Sequence, residues 1–244
     1  MKGFGARRRT GRAAAMCGRR AGFGLLLVPV LLGACDLPTV PARAGDRAPY
    51  DFALEDTELV MRWPRGAAVR VYAAPGPDAA RDSVLGGALV QGVNAWNGIT
   101  LYDEFRLDIT DRVESADVVI AWSDADLPIE TAGCEPGAGG GAVTSFCLDP
   151  DDPTRLRAYP IRSPSGLVLG RPRIVILIRA THADSPEMVA RLVAHELGHA
   201  LGIGRHSHDA KDLMWGGTLL TDSPTAADVA TIRTLYRTPP DVMP

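Results

Sequence analysis

The amino-acid sequence predicts an α+β domain over residues 66–244, preceded by an export signal. Five apolar runs typical of strands are distributed over residues 68–179, and a single helix follows the first of them. Two further helices lie at the end, after a long irregular stretch at residues 147–172. This order of elements is typical of α+β or mixed-sheet folds, and a chain of this length can bury a hydrophobic core.

The predicted strands follow from alternating or continuous apolar residues. Residues 68–73 alternate, and residues 173–179 are apolar on both faces, as in a covered interior strand. Further strands are predicted at 105–110, 116–122 and, more weakly, 142–146. Helical spacing over residues 82–98 places one group of apolar side chains on a common face: Val84, Leu85, Leu89, Val93 and Trp96.

The two late helices have recognisable starts. Ser185 can cap the first, and Pro186 suits its first helical position. The apolar pattern of this helix continues to Gly202. The second begins near residues 223–225 and ends before Pro239.

Residues 1–34 are typical of a signal peptide. They contain seven basic and no acidic side chains, and their apolar run at 21–34 has only 14 residues, whereas a transmembrane helix needs about 20. The run ends in Leu-Gly-Ala-Cys at 32–35, which resembles the lipobox of bacterial lipoproteins. That resemblance implies a lipid on Cys35 that anchors the protein to a bacterial membrane, on its periplasmic or cell-surface side. An ordinary secretory signal with a free Cys35 is the alternative.

The rest of the chain adds four expectations. Residues 35–65 include a Pro-rich stretch and are predicted to be a tether, and residues 35–244 carry 19 basic against 29 acidic side chains, which disfavours a nucleic-acid partner. In an oxidising compartment Cys134 and Cys147 are expected to form a disulfide, with two free thiols as the alternative. The acidic residues at 149–152 form either an exposed turn or a calcium site, and calcium is not assigned.

Four of the five His residues lie within residues 195–208. His195 and His199 are four residues apart, so a helix places both imidazoles on one face where they can share a metal ion. Glu196 stands beside the first ligand, where it can take a proton from a metal-activated water. A Gly at 202 can end the helix, and His206 follows as the expected third ligand. Three nitrogen ligands with an open fourth position are typical of a catalytic zinc.

The sequence HELGHALG at 195–202, a nearby His, and Asp-Leu-Met at 212–214 together resemble the metzincin metalloproteases, particularly their matrixin-like bacterial branch. The resemblance implies a mixed twisted sheet of about five strands with an antiparallel edge strand, a metal-binding helix, a Met-turn at Met214 and a C-terminal helix. It also implies a zinc-dependent endopeptidase with Glu196 as catalytic base. A protein or peptide substrate would lie extended along residues 142–146, and residues 216–223 would line the pocket beyond the scissile bond.

One departure from the family motif concerns the third ligand. The motif has its third His three residues after the Gly, where this chain has Arg205, so His206 is displaced by one position. His208 and Asp209 are therefore alternatives to His206. His182 is expected to be structural, and the protein is expected to be a monomer. Two other functions stay open: a non-catalytic zinc lipoprotein that acts as a binding module, and a zinc hydrolase of peptidoglycan cross-links.

Overall fold

The structure is a computed structural model that describes residues 48–54, 57–125, 140–162 and 165–244. All of these residues belong to one unit, residues 39–244. Among them, no helix has the length and apolar character needed to cross a membrane. The predicted signal peptide, Cys35 and Cys134 lie outside the described residues, so the lipid anchor and the disulfide remain predictions.

Seven strands and three α-helices make up the described domain. The strands are β1 (Ala68–Ala73), β2 (Arg106–Ile109), β3 (Val118–Trp122), β4 (Ala142–Ser145), β5 (Ile161–Arg162), β6 (Val168–Gly170) and β7 (Ile174–Ile178). The helices are α1 (Ala79–Asn97), α2 (Pro186–Ala200) and α3 (Ala226–Arg237), with short 3-10 turns at Val113–Ser115 and Ala180–His182. Each strand and helix predicted from periodicity is present, with ends shifted by a few residues.

The main sheet has five strands in the order β2-β1-β3-β7-β4. Its first four strands are parallel, and β4 pairs with β7 in the antiparallel direction at one edge. The expected mixed five-stranded sheet with an antiparallel edge strand is confirmed. The separate antiparallel pair β5-β6 lies within the stretch predicted to be irregular; two and three residues are too few to show a period.

Helices α1 and α2 pack together with one face of the sheet in the main hydrophobic core. Trp96 of α1 is fully buried, and its indole Nε1 donates to the carbonyl oxygen of Ala194 in α2 over 2.7 Å. All five residues of the central strand β3 are buried. A second, smaller cluster, to which Val119 and Ile161 belong, covers other residues of β3. Helix α2 therefore packs on a sheet whose central strand is fully buried.

The segment assigned to a tether, residues 35–65, is packed where the structure describes it. Tyr50, Met61 and Trp63 are all buried, and the Trp63 indole donates to the carbonyl oxygen of Ala200 over 2.8 Å. Between residues 50 and 63 the described part of this segment therefore contributes buried side chains to the domain, which the composition did not predict. The Pro-rich composition concealed a few large apolar side chains that bury against distant parts of the chain.

Candidate metal centre

Helix α2 and the turn that follows it bring three imidazoles together. His195 and His199 lie one turn apart on α2, which ends at Ala200. Gly202 then adopts φ +115°, a conformation that favours glycine, and a Cβ there would clash with the carbonyl oxygen of Met61. The chain reverses at this point and returns His206, so that potential ligand atoms of the three His residues lie within 4.8 Å of one another.

The hydrogen bonds of the two helical imidazoles define which nitrogen is left for a metal. The Nδ1 of His195 donates to the Leu213 carbonyl over 2.7 Å, and the Nδ1 of His199 donates to the Ile203 carbonyl over 2.6 Å. Burial lowers the pKa of both rings to about 4, so both are neutral near pH 7. Each Nε2 therefore carries a lone pair and no proton.

These Nε2 atoms face each other at short distances. The Nε2 of His199 lies 3.1 Å from that of His195 and 3.3 Å from that of His206. Facing lone pairs repel at this range unless a cation lies among them. Two nitrogens bound tetrahedrally at the usual Zn–N length of 2.0–2.1 Å are about 3.3 Å apart. The three residues thus fit a zinc ion, as the sequence predicted for this set.

The structure distinguishes His206 from the two alternatives for the third position. Among the described residues, the group that could hold a metal contains His206 and neither His208 nor Asp209. The carboxylate of Asp209 accepts the backbone N–H of Lys211 in its own turn. Arg205, where the family motif has its third His, points instead to Asp51, 2.8 Å away.

Glu196 is a buried carboxylate at the floor of the same cleft. Only 5% of the residue is exposed, and burial raises the pKa of its carboxyl group above the ordinary value. The hydroxyl of Thr144 donates to Glu196 Oε2 over 2.6 Å. Thr144 belongs to the edge strand β4, so this hydrogen bond joins the strand to the carboxylate and orients it. Sequence reasoning placed Thr144 in a strand but did not identify this role.

Met214 and its neighbours support the ligands from below. Met214 is fully buried, and a Cβ at Gly198, between the two helical ligands, would clash with its sulfur. The backbone N–H groups of Leu213 and Met214 donate to the carboxylate of Asp228 in α3. The turn that carries the predicted Met is therefore held against α2 and α3 together.

The cleft beside the three imidazoles has a volume of about 900 Å³. One side is formed by the edge strand β4, and the other by residues 215–219 after Met214. Met188 and Leu192 add apolar surface, and His182, expected to be structural, also lines this cleft.

In the acidic stretch 149–152, carboxylates accept backbone N–H groups of their own turn, which favours the turn interpretation over a calcium site.

Comparison with known proteins yields structural neighbours only. No family model matches the chain, and no curated protein matches it. Two solved structures of myroilysin are similar to it, each with 14% sequence identity and a TM-score of 0.38. One similarity covers 77% of this chain and 89% of that structure's chain, and the other covers 72% and 82%. We therefore argue the function from the geometry of the site itself.

Proposed function

We propose that the protein is a zinc-dependent endopeptidase in which His195, His199 and His206 hold the metal and Glu196 acts as general base. The observation that carries this proposal is the convergence of three imidazoles beside a buried carboxylate in an open cleft. Three His ligands leave one coordination position for water or substrate, which is the ligand set of a catalytic rather than a structural zinc.

The residues of the chain supply the proton transfers of peptide hydrolysis. A zinc ion held by this triad would polarise the scissile carbonyl and lower the pKa of the attacking water. Glu196 accepts the proton of that water and then donates it to the amine that leaves. A raised carboxyl pKa suits the first step, because it makes the carboxylate a stronger base toward the water. Thr144 keeps Oε2 of this carboxylate in place.

The edge strand supports the choice of an extended peptide as substrate. Among the described strands, β4 pairs only with β7, so its other edge can pair with a substrate backbone. Ala142, Val143 and Thr144 line the cleft on this side. Leu192 and Leu219 line the same cleft, so an apolar side chain next to the scissile bond fits best. The protein is proposed to act as a monomer, without a nucleic-acid partner.

We also propose a place for this activity. The lipobox-like residues 32–35 support anchorage through Cys35 to a bacterial membrane, with the domain on the periplasmic or cell-surface side. Proteolysis of the purified membrane fraction, followed by mass spectrometry of the N-terminal peptide, tests this anchor. A diacylglyceryl group on Cys35 supports it, and an unmodified thiol or a different N-terminus contradicts it.

The function is tested with purified protein, zinc and a library of quenched peptides. Cleavage is expected for the unaltered protein and is expected to disappear with a chelator and in Glu196→Ala, which retains zinc. Glu187→Ala is the matched control, because Glu187 is an exposed carboxylate at the start of the same helix. A protein that binds one zinc but cleaves no peptide would support the binding module, and cleavage restricted to peptidoglycan cross-links would support the other hydrolase.

A further inference from the structure

The N-terminal strap, residues 50–54 and 57–58, contacts the loop that leads from α2 to His206. The carbonyl oxygen of Phe52 accepts the backbone N–H of Gly204 over 3.0 Å. The guanidinium of Arg205 lies 2.8 Å from the carboxylate of Asp51 and donates to the carbonyl oxygen of Thr57 over 2.9 Å. Two consecutive loop residues, Gly204 and Arg205, are therefore attached to the strap.

The strap and the loop are in direct backbone contact at Gly204. A Cβ at this position would clash with the carbonyl oxygen of Ala53 and would lie 2.7 Å from the Cα of Leu54. The φ of Gly204 is not positive, so the glycine serves close approach rather than an unusual backbone conformation. Any larger residue would separate the strap from the loop.

The same loop carries two parts of the metal centre. The carbonyl oxygen of Ile203 accepts the Nδ1–H of His199 over 2.6 Å, and this bond fixes which nitrogen of His199 is presented to a metal. His206 is the third ligand and follows Arg205 directly. The strap thus contacts the two residues that lie between a ligand's hydrogen-bond partner and the next ligand.

We propose that Gly204, Arg205 and Asp51 are positioning residues that complete the metal centre by clamping its loop under the N-terminal strap. The partner of the loop is thus a segment of this chain about 150 residues earlier in the sequence. The inference rests on the proposed function insofar as it takes the three imidazoles to bind zinc. It predicts that zinc affinity depends on contacts made well outside the ligand helix.

The test is the zinc affinity of the full chain, measured by competition with a chromophoric chelator, together with the visible absorption of the cobalt(II)-substituted protein. Loss of a residue that orients metal ligands typically weakens binding about 10- to 100-fold, whereas an exposed ion pair alone changes it by at most about fivefold. We expect Arg205→Ala to weaken zinc binding about tenfold and Gly204→Ala about a hundredfold, with an altered cobalt spectrum. Arg205→Lys, which can keep the contact with Asp51, is expected to stay within about threefold of the unaltered protein.

Arg106→Ala is the matched control, because Arg106 forms an ion pair of 2.7 Å with Asp108 on β2, the strand at the opposite edge of the sheet from β4. It is expected to leave zinc affinity unchanged. If Gly204→Ala does not fold, Arg205→Ala and Arg205→Lys decide the question. An affinity within twofold of the unaltered protein for Arg205→Ala, with the same cobalt spectrum, overturns the strap proposal and leaves the protease intact. If Arg205→Ala weakens zinc binding and the unaltered, zinc-loaded protein cleaves no peptide, the strap proposal is supported and the protease proposal is contradicted.

Discussion

Replacing Asp228 by Asn is expected to destabilise the fold and to weaken zinc binding in one step. Asp228 is fully buried in the first turn of α3. Its carboxylate accepts hydrogen bonds from Tyr50 Oη (2.7 Å), Thr225 N (2.7 Å), Leu213 N (2.9 Å) and Met214 N (3.3 Å). The residue thus connects the N-terminal strap, the turn around Met214 and the last helix.

The size of the effect follows from which oxygen the amide replaces. Oδ2 accepts two backbone N–H groups, from Thr225 and Leu213, and neither can become an acceptor. The amide nitrogen is therefore expected at Oδ1, where the Tyr50 hydroxyl can rotate and accept, and only the bond from Met214 is lost. Hydrogen bonds to a charged group contribute about 1.5–3 kcal/mol and neutral ones about 1 kcal/mol. Losing the bond from Met214 and weakening the other three therefore costs about 3 kcal/mol of folding free energy, taken at the lower ends of these ranges. For a domain of this size that lowers Tm by about 6–12 °C.

The link to the metal passes through one residue, Leu213. Asp228 holds the N–H of Leu213, and the carbonyl of Leu213 accepts the Nδ1–H of His195. A shift of this turn misplaces a ligand's hydrogen-bond partner, so zinc affinity is expected to fall about tenfold. Calorimetry with and without a chelator gives the stability, and chelator competition gives the affinity.

Glu104→Gln is the control that separates the two effects. Glu104 is also a buried carboxylate, and it accepts the backbone N–H groups of Leu101 and Tyr102 over 3.0 Å each. None of its described hydrogen bonds reaches the metal loop, so this variant is expected to lose stability and keep its zinc affinity. The reasoning is refuted if Asp228→Asn unfolds within about 1 kcal/mol of the unaltered protein, or if its zinc affinity matches that of Glu104→Gln.

Three further predictions concern the cleft and the helix α2 beside it. Glu196→Gln keeps the shape of the side chain but not its basicity, so peptide cleavage is expected to fall about a thousandfold while metal analysis still finds one zinc per chain. Thr144→Val removes the hydroxyl that donates to Glu196 and is expected to lower kcat about tenfold with little change in KM; an unchanged kcat would contradict the orienting role. Gly198→Ala places a methyl group against Met214 and 2.8 Å from Trp96, and such overpacking costs about 1–3 kcal/mol. A Tm lowered by about 5 °C in thermal unfolding checks this last prediction.

The elements that the sequence predicts well are those whose signal is local. The continuous apolar run at 173–179 corresponds to β7, and the Ser-Pro start at 185–186 corresponds to the beginning of α2. The start of α2 is at the predicted position, but not through the predicted contact: Ser185 occupies the cap position, and its side chain makes no capping hydrogen bond. Thr225 caps α3 with a reciprocal bond to Asp228, which is the stronger signal in the sequence.

The packing of residues 48–65 could not be predicted in the same way. Their periodicity is weak, and their contacts are made far away along the chain. Tyr50 bonds to a carboxylate 178 residues later, and Trp63 bonds to a carbonyl 137 residues later. Thr144 is a similar case, since its hydroxyl meets Glu196 only after 52 residues. Hydrogen bonds of this kind depend on the completed fold, and composition alone suggested a tether.

The three proposed metal ligands also differ in how far local sequence predicts them. His195 and His199 are predictable because a helix fixes the relative position of residues four apart. No comparable rule governs the loop after Gly202, so the sequence predicts His206 as the expected third ligand and leaves His208 and Asp209 open as alternatives. The structure separates them at Ser207, whose backbone N–H donates to the Met214 carbonyl over 2.7 Å and whose hydroxyl oxygen accepts the N–H of Asp209 over 3.1 Å. The first bond anchors the residue next to His206 against the turn below the metal. The second closes a local turn over His208 and Asp209, neither of which belongs to the group that could hold a metal, so the support of this loop favours His206 as the third ligand.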